Sequence, residues 1–260
     1  MKKLVSCLFI LAAFTSCRNG DDLLKDGNDW DIVISSSQHV PGIGNTDGPH
    51  QGTPWELPEG VELVQRPGMP FDPNPQLLFG SLNTFYADLS FVNHLNVKIK
   101  IHFPAGLICL FDKEGRTQDG LLTSAVTVDL PASSSFRKSG PDTTTIYLGL
   151  GCLNHSKAFP WEENQEPDTR DYPIGKGMYK PVVVTSDPNL RKFLDLLKDY
   201  PGLRLTRHYN PQEMFDPEYE PEPWRKIYMT IQGALWDITD GDGLSRQSHR
   251  ELLEALKPYR

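Results

Sequence analysis

A glutamine in the apolar segment YMTIQGALWDITDGDGLS, Tyr228 to Ser245, is the residue whose chemistry first calls for an explanation. Gln232 lies four residues from both Tyr228 and Trp236, so the three side chains share one side of a predicted helix. The ordinary interpretation is a glutamine that forms hydrogen bonds at the edge of a core. A chemical role would require a nucleophile as its partner. The helix itself is predicted from apolar residues with the spacing of one helical face, namely Trp224, Ile227, Ile231, Leu235 and Ile238.

Cysteine is the candidate nucleophile. The chain has 4 cysteines, and Cys7 lies in a predicted signal peptide. Cys152 follows the predicted strand Thr143 to Leu150, in the sequence LGLGCLNHSKAFPW. In an oxidising compartment Cys109 and Cys152 are a possible disulfide, which would exclude any other chemistry at Cys152. Cys109 is equally compatible with a small buried hydrophobic residue in a strand.

The sequence GCLNHSKAFP resembles the surroundings of the reactive cysteine in bacterial thioester domains. In that family the cysteine is followed by an apolar residue, then asparagine, and often by a stretch similar to Ala-Phe-Pro. A later helix of the family carries Gln-x-Ala-hydrophobic-Trp, and this chain has QGALW at residues 232–236. Two positions depart from the pattern: Gly151 replaces an aromatic residue, and Ile231 replaces a frequent threonine. The resemblance covers roughly residues 143–256.

The resemblance implies an internal thioester between the Cys152 thiol and the Gln232 carboxamide. Attack of the sulfur on the glutamine carbonyl releases ammonia and stores an acyl group, which an incoming amine captures as a stable amide. Trp236 and Tyr228 would form an apolar wall that keeps water away, and His155 is a neighbour that could assist. Capture occurs once per molecule, so an adhesin is implied rather than a turnover enzyme, without a cofactor. Relatives that keep the fold but lack the bond remain an alternative.

The N-terminal sequence MKKLVSCLFILAAFTSC, residues 1–17, has the architecture of a signal peptide. Two lysines precede a short apolar core, which is too short to span a membrane. FTSC at its end resembles the lipobox of bacterial lipoproteins, which predicts a lipidated Cys17. The acidic run that follows resembles the export tag of surface-displayed lipoproteins of Gram-negative bacteria. We therefore expect an outer-membrane lipid anchor at the cell surface, although a simple secretory signal and a periplasmic location are the alternatives.

The composition narrows the possible partners. A net charge of −8 without a Lys/Arg run disfavours nucleic acid. No P-loop, GxGxxG or HExxH motif is present. Asp237, Asp240 and Asp242 do not fit the register of a calcium-binding EF-hand, so we interpret them as a turn and predict no metal site.

The order of predicted elements indicates an α+β fold, an antiparallel β-sandwich with a small C-terminal or inserted helical group. Residues 18–75 are rich in Gly, Pro and Asp and predict a flexible tether with at most one short strand near Ile32. The folded domain is expected over residues 76–260. Its predicted strands are Val97–Phe103, Leu107–Phe111, Leu121–Leu130 and Thr143–Leu150, and its other helices are one capped by Asp187 and one after Ser245.

These observations together predict a surface lipoprotein that adheres to a host or neighbouring cell, covalently if an amine of a partner protein is captured. The alternative is an envelope lipoprotein that binds a glycan or protein without a covalent bond.

Overall fold

The computed structural model describes residues 31–64, 75–111, 117–133, 143–159, 179–209 and 216–260. The signal peptide and Cys17 lie outside the described residues. In the described part, twelve strands and three α-helices follow one another. The strands are β1 Ile32–Ser35, β2 Gly52–Pro54, β3 Val61–Val64, β4 Leu78–Phe79, β5 Phe85–Asn93, β6 Ile99–Phe103, β7 Leu107–Phe111, β8 Gly120–Leu121, β9 Val126–Leu130, β10 Thr143–Cys152, β11 Tyr179–Thr185 and β12 Gly243–Ser245. The helices are α1 Pro188–Lys198, α2 Lys226–Thr239 and α3 Arg246–Leu256.

The main sheet is curled like half a barrel and has the strand order β2-β11-β7-β8-β10-β5-β3, in which neighbours are antiparallel. The short β4 adds a parallel contact to β10. The longest pairing joins β10 to β5, from Thr143 opposite Val92 to Leu150 opposite Phe85. Both strands are buried along most of their length, including the polar residues Asp88, Ser90 and Thr145. This confirms the predicted α+β class.

A second, two-stranded sheet of β6 and β9 packs on the main sheet through Phe103, whose ring lies 6.0 Å from that of Phe91. The predicted strand Leu121–Leu130 is divided between the two sheets. Leu122 still donates to the Leu107 carbonyl, and from Val126 onward the chain pairs with β6 instead. The sequence alone does not reveal this change of sheet, because no glycine or proline interrupts residues 121–130.

The expected tether to residue 75 is corrected for residues 31–64, which belong to the folded domain. β2 and β3 form the two edges of the main sheet, and β1 pairs with β12. Ile34 and Ile43 are buried in the core. Glycine and proline are common at sheet edges and turns, so this composition fits short edge strands as well as a linker.

The helices agree closely with the predicted ones because their signals are local. The Asp187 carboxylate accepts from the backbone N–H groups of Asn189 and Leu190 at the start of α1, and Ser245 caps α3 through the N–H of Ser248. α2 buries the predicted apolar face against the sheet. Among the described residues, no helix is long and apolar enough to cross a membrane.

Both described cysteines are free and buried. Cys109 and Cys152 each face Gly120 of β8, one from β7 and one from β10. Two strand spacings amount to about 10 Å, whereas the Cα atoms of a disulfide lie roughly 4.4–6.8 Å apart. The intervening strand therefore prevents the disulfide that the cysteine count left open.

The close packing around β10 can be tested by comparing a glycine in β10 with a glycine in α2. A methyl group at Gly149 would overlap the Leu82 carbonyl and the Leu205 side chain. We expect Gly149→Ala to lower the free energy of unfolding by about 1–3 kcal/mol or more. Gly233, in α2, has no atom within 4 Å of the added carbon, so Gly233→Ala should raise it by about 0.5–1 kcal/mol. Urea denaturation measures both, and equal effects would contradict the described packing.

Candidate functional site

The Gln232 carboxamide pairs with the backbone of Cys152. Its Oε1 accepts from the Cys152 N–H at 2.8 Å, and its Nε2 donates to the Cys152 carbonyl at 3.0 Å. Both residues are buried, with Gln232 4% exposed and Cys152 fully enclosed. The structure thus brings the two residues singled out in the sequence into direct contact, across 80 positions of the chain.

This pairing is possible because β5 begins where β10 ends. Phe85 is the first residue of β5 and faces Leu150, so the edge of β10 beyond Leu150 is open to another partner. The Gln232 carboxamide occupies it and satisfies the donor and acceptor that a strand residue would have satisfied. Thr84, just before β5, donates its hydroxyl to the same Gln232 Oε1. That carbonyl oxygen therefore accepts two hydrogen bonds.

The Cys152 sulfur lies in a dry environment with two donors. Burial raises the pKa of the thiol to about 12. The backbone N–H of Asn154 and the indole N–H of Trp236 act in the opposite direction, while the charges of Asp240 and Asp119 raise the pKa further. The Trp236 N–H makes no regular hydrogen bond, but it is close enough to the thiol to favour the thiolate. At neutral pH the group is a thiol.

Asn154 anchors the segment that follows Cys152. Its Oδ1 accepts from the Asp119 N–H at 3.0 Å, and its Nδ2 donates to the carbonyls of Gly42 and Gly44 at 2.9 and 3.0 Å. The side chain is fully buried. Because it connects β10, the β8 segment and the loop after β1, Asn154 fixes the backbone from which the Cys152 thiol projects.

A cleft of about 870 Å³ opens beside α2, directly over Gln232. Aromatic and apolar side chains dominate its walls, and the His155 ring meets the Trp236 ring edge-on at 4.4 Å. Gln232 lines the cleft although it is only 4% exposed, and Cys152 is not among the lining residues. Residues of this cleft that matter below are Thr84, Gln118, His155, Phe159, Tyr228, Gln232, Trp236, Asp237 and Asp240.

Charges of opposite sign lie at the two ends of the cleft. Arg225, just before α2, stacks on the Tyr209 ring at 3.2 Å and donates to the Tyr219 hydroxyl. Asp237 and Asp240 lie near the end of α2, where burial raises the pKa of each carboxyl. The cleft is thus cationic at one end and anionic at the other, with Gln232 between them.

Five of the six residues singled out in the sequence meet here: Cys152, Gln232, Trp236, Tyr228 and His155. Only Cys17 lies outside the described residues. Sequence reasoning missed Thr84, which comes directly before the long strand β5, Gln118, which comes shortly before the short strand β8, and Arg225. None of them belongs to a recognisable motif. It treated Asp237 and Asp240 only as turn residues, although they line the cleft.

Comparison of the chain with protein-family models, with curated proteins and with solved structures finds no match. The arguments about function therefore depend on the geometry of this site and on the short motifs described above.

Replacing Gln232 tests how much the pairing contributes to stability. Gln232→Leu leaves the buried N–H and C=O of Cys152 without partners, and each lost partner costs about 1–3 kcal/mol. We expect the free energy of unfolding to fall by at least that amount in urea denaturation. Met229→Leu, at the exposed side of the same helix, serves as the control and should change it little. Equal stability of the two variants would contradict the pairing.

The raised pKa of Cys152 predicts low thiol reactivity. In a chain with Cys109→Ala, iodoacetamide should modify Cys152 of the native protein roughly 1,000-fold more slowly at pH 7 than Cys152 of the denatured chain, because the buried thiol is ionised far less often than an ordinary thiol, which ionises near pH 9. From pH 7 to pH 9 the native rate should rise about 100-fold and the denatured rate about 50-fold. Peptide mass spectrometry reads the modification at Cys152 separately from the other cysteines. By linkage, the thiol's contribution to stability is present below pH 9 and lost as the pH rises towards 12. Fast native modification at pH 7 would contradict the described burial.

Proposed function

We propose that Cys152 and Gln232 form an internal thioester, and that the domain captures one amine of a partner molecule through it. In the first step the Cys152 sulfur bonds to the Gln232 carbonyl carbon, the C–N bond breaks, and the thiol proton leaves with the departing ammonia. In the second, an amine bonds to the same carbon, the C–S bond breaks, and the thiol is regenerated. The product is an amide at Gln232. The single observation that carries the proposal is the direct contact of the two residues.

The hydrogen bonds to Gln232 Oε1 support the first step. The carbonyl oxygen becomes an oxyanion when sulfur attacks, and donors already aimed at it stabilise the developing charge. The Cys152 N–H at 2.8 Å and the Thr84 hydroxyl provide two such donors. They also polarise the carbonyl before attack, which compensates in part for a thiol that is not ionised.

The donors near the sulfur support the second step. When an amine attacks, the electron pair of the C–S bond goes to the Cys152 sulfur, which leaves with thiolate character. The Asn154 N–H and the Trp236 indole N–H favour that charged form. The carbonyl is thus served by one pair of donors and the leaving group by another.

The cleft supports a reaction in which the sulfur is protected while an amine reaches the Gln232 carbonyl carbon. The sulfur is enclosed, whereas the Gln232 side chain forms part of the cleft wall. A nucleophile can approach from the cleft between the aromatic walls formed by Tyr228, Phe159 and Trp236. Walls of this kind reduce the access of water to a reactive acyl group.

The biological setting that we propose follows from the N-terminal sequence. A lipidated Cys17 would hold the domain at a bacterial outer membrane, and a cell-surface orientation would present the cleft to a host or neighbouring cell. The captured group would be an amine of a partner protein. Such a protein is a single-use adhesin without a cofactor.

Intact mass spectrometry of the full chain, purified without reductant, tests the thioester. We expect a mass lower by one ammonia than that of the encoded chain. After methylamine treatment we expect a mass higher by one methylene than that of the encoded chain. Cys152→Ala and Gln232→Glu should abolish both changes, whereas the matched control Cys109→Ala should keep them. Processing at the N-terminus changes the mass of every variant by the same amount. The masses of the variants are therefore compared with one another.

An encoded mass that methylamine does not change would refute the thioester. The second candidate function, non-covalent binding of a glycan or protein, would then account for the cleft, whose aromatic walls suit sugar rings or apolar side chains. Under that candidate, partner binding survives in Cys152→Ala. A mass lower by two hydrogens that disappears in both Cys109→Ala and Cys152→Ala would identify a disulfide between these residues, and would contradict both the thioester and the described sheet.

A further inference from the structure

One wall of the cleft carries a buried acceptor that has no partner in the described part of the chain. Gln118 is 7% exposed, and its Oε1 has no hydrogen-bond partner. Buried carbonyl groups almost always accept a hydrogen bond, because leaving one unpaired costs free energy. Since Gln118 lines the same cleft as Gln232, a ligand that occupies the cleft can provide the missing donor.

The orientation of Gln118 is fixed by its other contacts. Its Nε2 donates to the Lys157 carbonyl at 3.1 Å, which identifies the remaining side-chain atom as the oxygen. Its backbone N–H donates to the Ala158 carbonyl, and its carbonyl accepts from the Tyr179 hydroxyl at 2.9 Å. Gln118 also lies two residues before Gly120, which faces Cys152 across the sheet. The hydrogen bonds of Gln118 therefore fix its unpaired oxygen in the same cleft that Gln232 lines.

Two carboxylates in the same cleft also favour a ligand that donates hydrogen bonds. Asp240 is held by the His155 N–H at 3.0 Å and by the Thr239 hydroxyl at 2.6 Å, and Asp237 lies one turn earlier on α2. Two half-buried carboxylates raise the local concentration of cations. A protonated amine is attracted by the carboxylates, one of which accepts a proton from it. The neutral amine that results can attack, and it still offers an N–H donor to the Gln118 oxygen.

We infer that Gln118 binds the incoming amine and makes the proposed thioester react with amines in preference to water, an inference that rests on the proposed function. As nitrogen attacks the Gln232 carbonyl carbon, positive charge builds on its N–H groups, and the Gln118 oxygen accepts a hydrogen bond from one of them. The proton then moves from nitrogen to the departing sulfur. Attack by water depends instead on a base that removes its proton, and an amide oxygen is too weak a base to do so.

Two substitutions separate this role from a structural one. Gln118→Met and Gln118→Glu both lose the hydrogen bond to the Lys157 carbonyl, but only the glutamate keeps an acceptor oxygen in the cleft. The measured quantity is the ratio of methylamine adduct to hydrolysed product, in which Gln232 has become glutamate. Both are resolved by mass spectrometry of the full chain over a series of methylamine concentrations. The ratio does not depend on how much of each variant folds.

We expect Gln118→Met to lower the ratio roughly tenfold or more, in keeping with a lost hydrogen bond to a charged group, because adduct forms more slowly while hydrolysis is unchanged. Gln118→Glu should keep the rate of adduct formation near the wild-type value, and its carboxylate, which is a base for water, should raise the rate of hydrolysis. An unchanged ratio in Gln118→Met, with the ammonia deficit present, overturns the role of Gln118 and leaves the thioester standing. A wild-type chain without that deficit overturns both. If Gln118→Met forms no thioester, Gln118→Asn, whose shorter side chain withdraws the oxygen, gives the same comparison.

Discussion

The pairing of the Gln232 carboxamide with the Cys152 backbone is the constraint on which the site depends. It satisfies the backbone groups of β10 that β5 leaves unpaired, and it attaches α2 to the sheet at a buried point. Gly151 makes this approach possible, because a side chain there would come within 2.9 Å of Leu235 and 3.4 Å of Gln232 Oε1. The added carbon would also come within 2.6 Å of Leu82. A glycine at this position therefore has a physical reason in the close approach of α2 to the sheet.

Burial has opposite effects on the two halves of the proposed chemistry. The enclosed sulfur is protected from water, but the same desolvation raises the thiol pKa and makes a free thiolate rare. Polarisation of the carbonyl by Thr84 and the Cys152 N–H does not depend on that ionisation, since both donors are already in place. The site is therefore better suited to activating the acyl carbon than to activating the nucleophile. Such a balance favours a proposed thioester that forms slowly during folding and is then protected from water for a long time.

Local signals made much of this fold predictable. Asp187 and Ser245 mark the starts of helices because their side chains accept hydrogen bonds from nearby backbone N–H groups. The position of Gln232 beside Tyr228 and Trp236 follows from helical spacing alone. β2 and β3 were missed because short edge strands derive their order from partners far along the chain. Thr84 and Gln118 were missed for a related reason: their importance comes from what lies opposite them, and no motif of neighbouring residues records it.

The corrected position of residues 31–64 also changes how an anchored domain would carry load. β1, the strand nearest the expected lipid anchor, pairs with β12, and β12 follows α2 after a short turn. A partner joined to Gln232 would pull on α2, while the membrane would pull on β1. Force between the two attachment points would then pass through β12 and the end of α2, without crossing the wide main sheet. The antiparallel β1–β12 pair, the hydrogen bond from the Ser37 N–H to the Ile238 carbonyl and the buried face of α2 would then resist it.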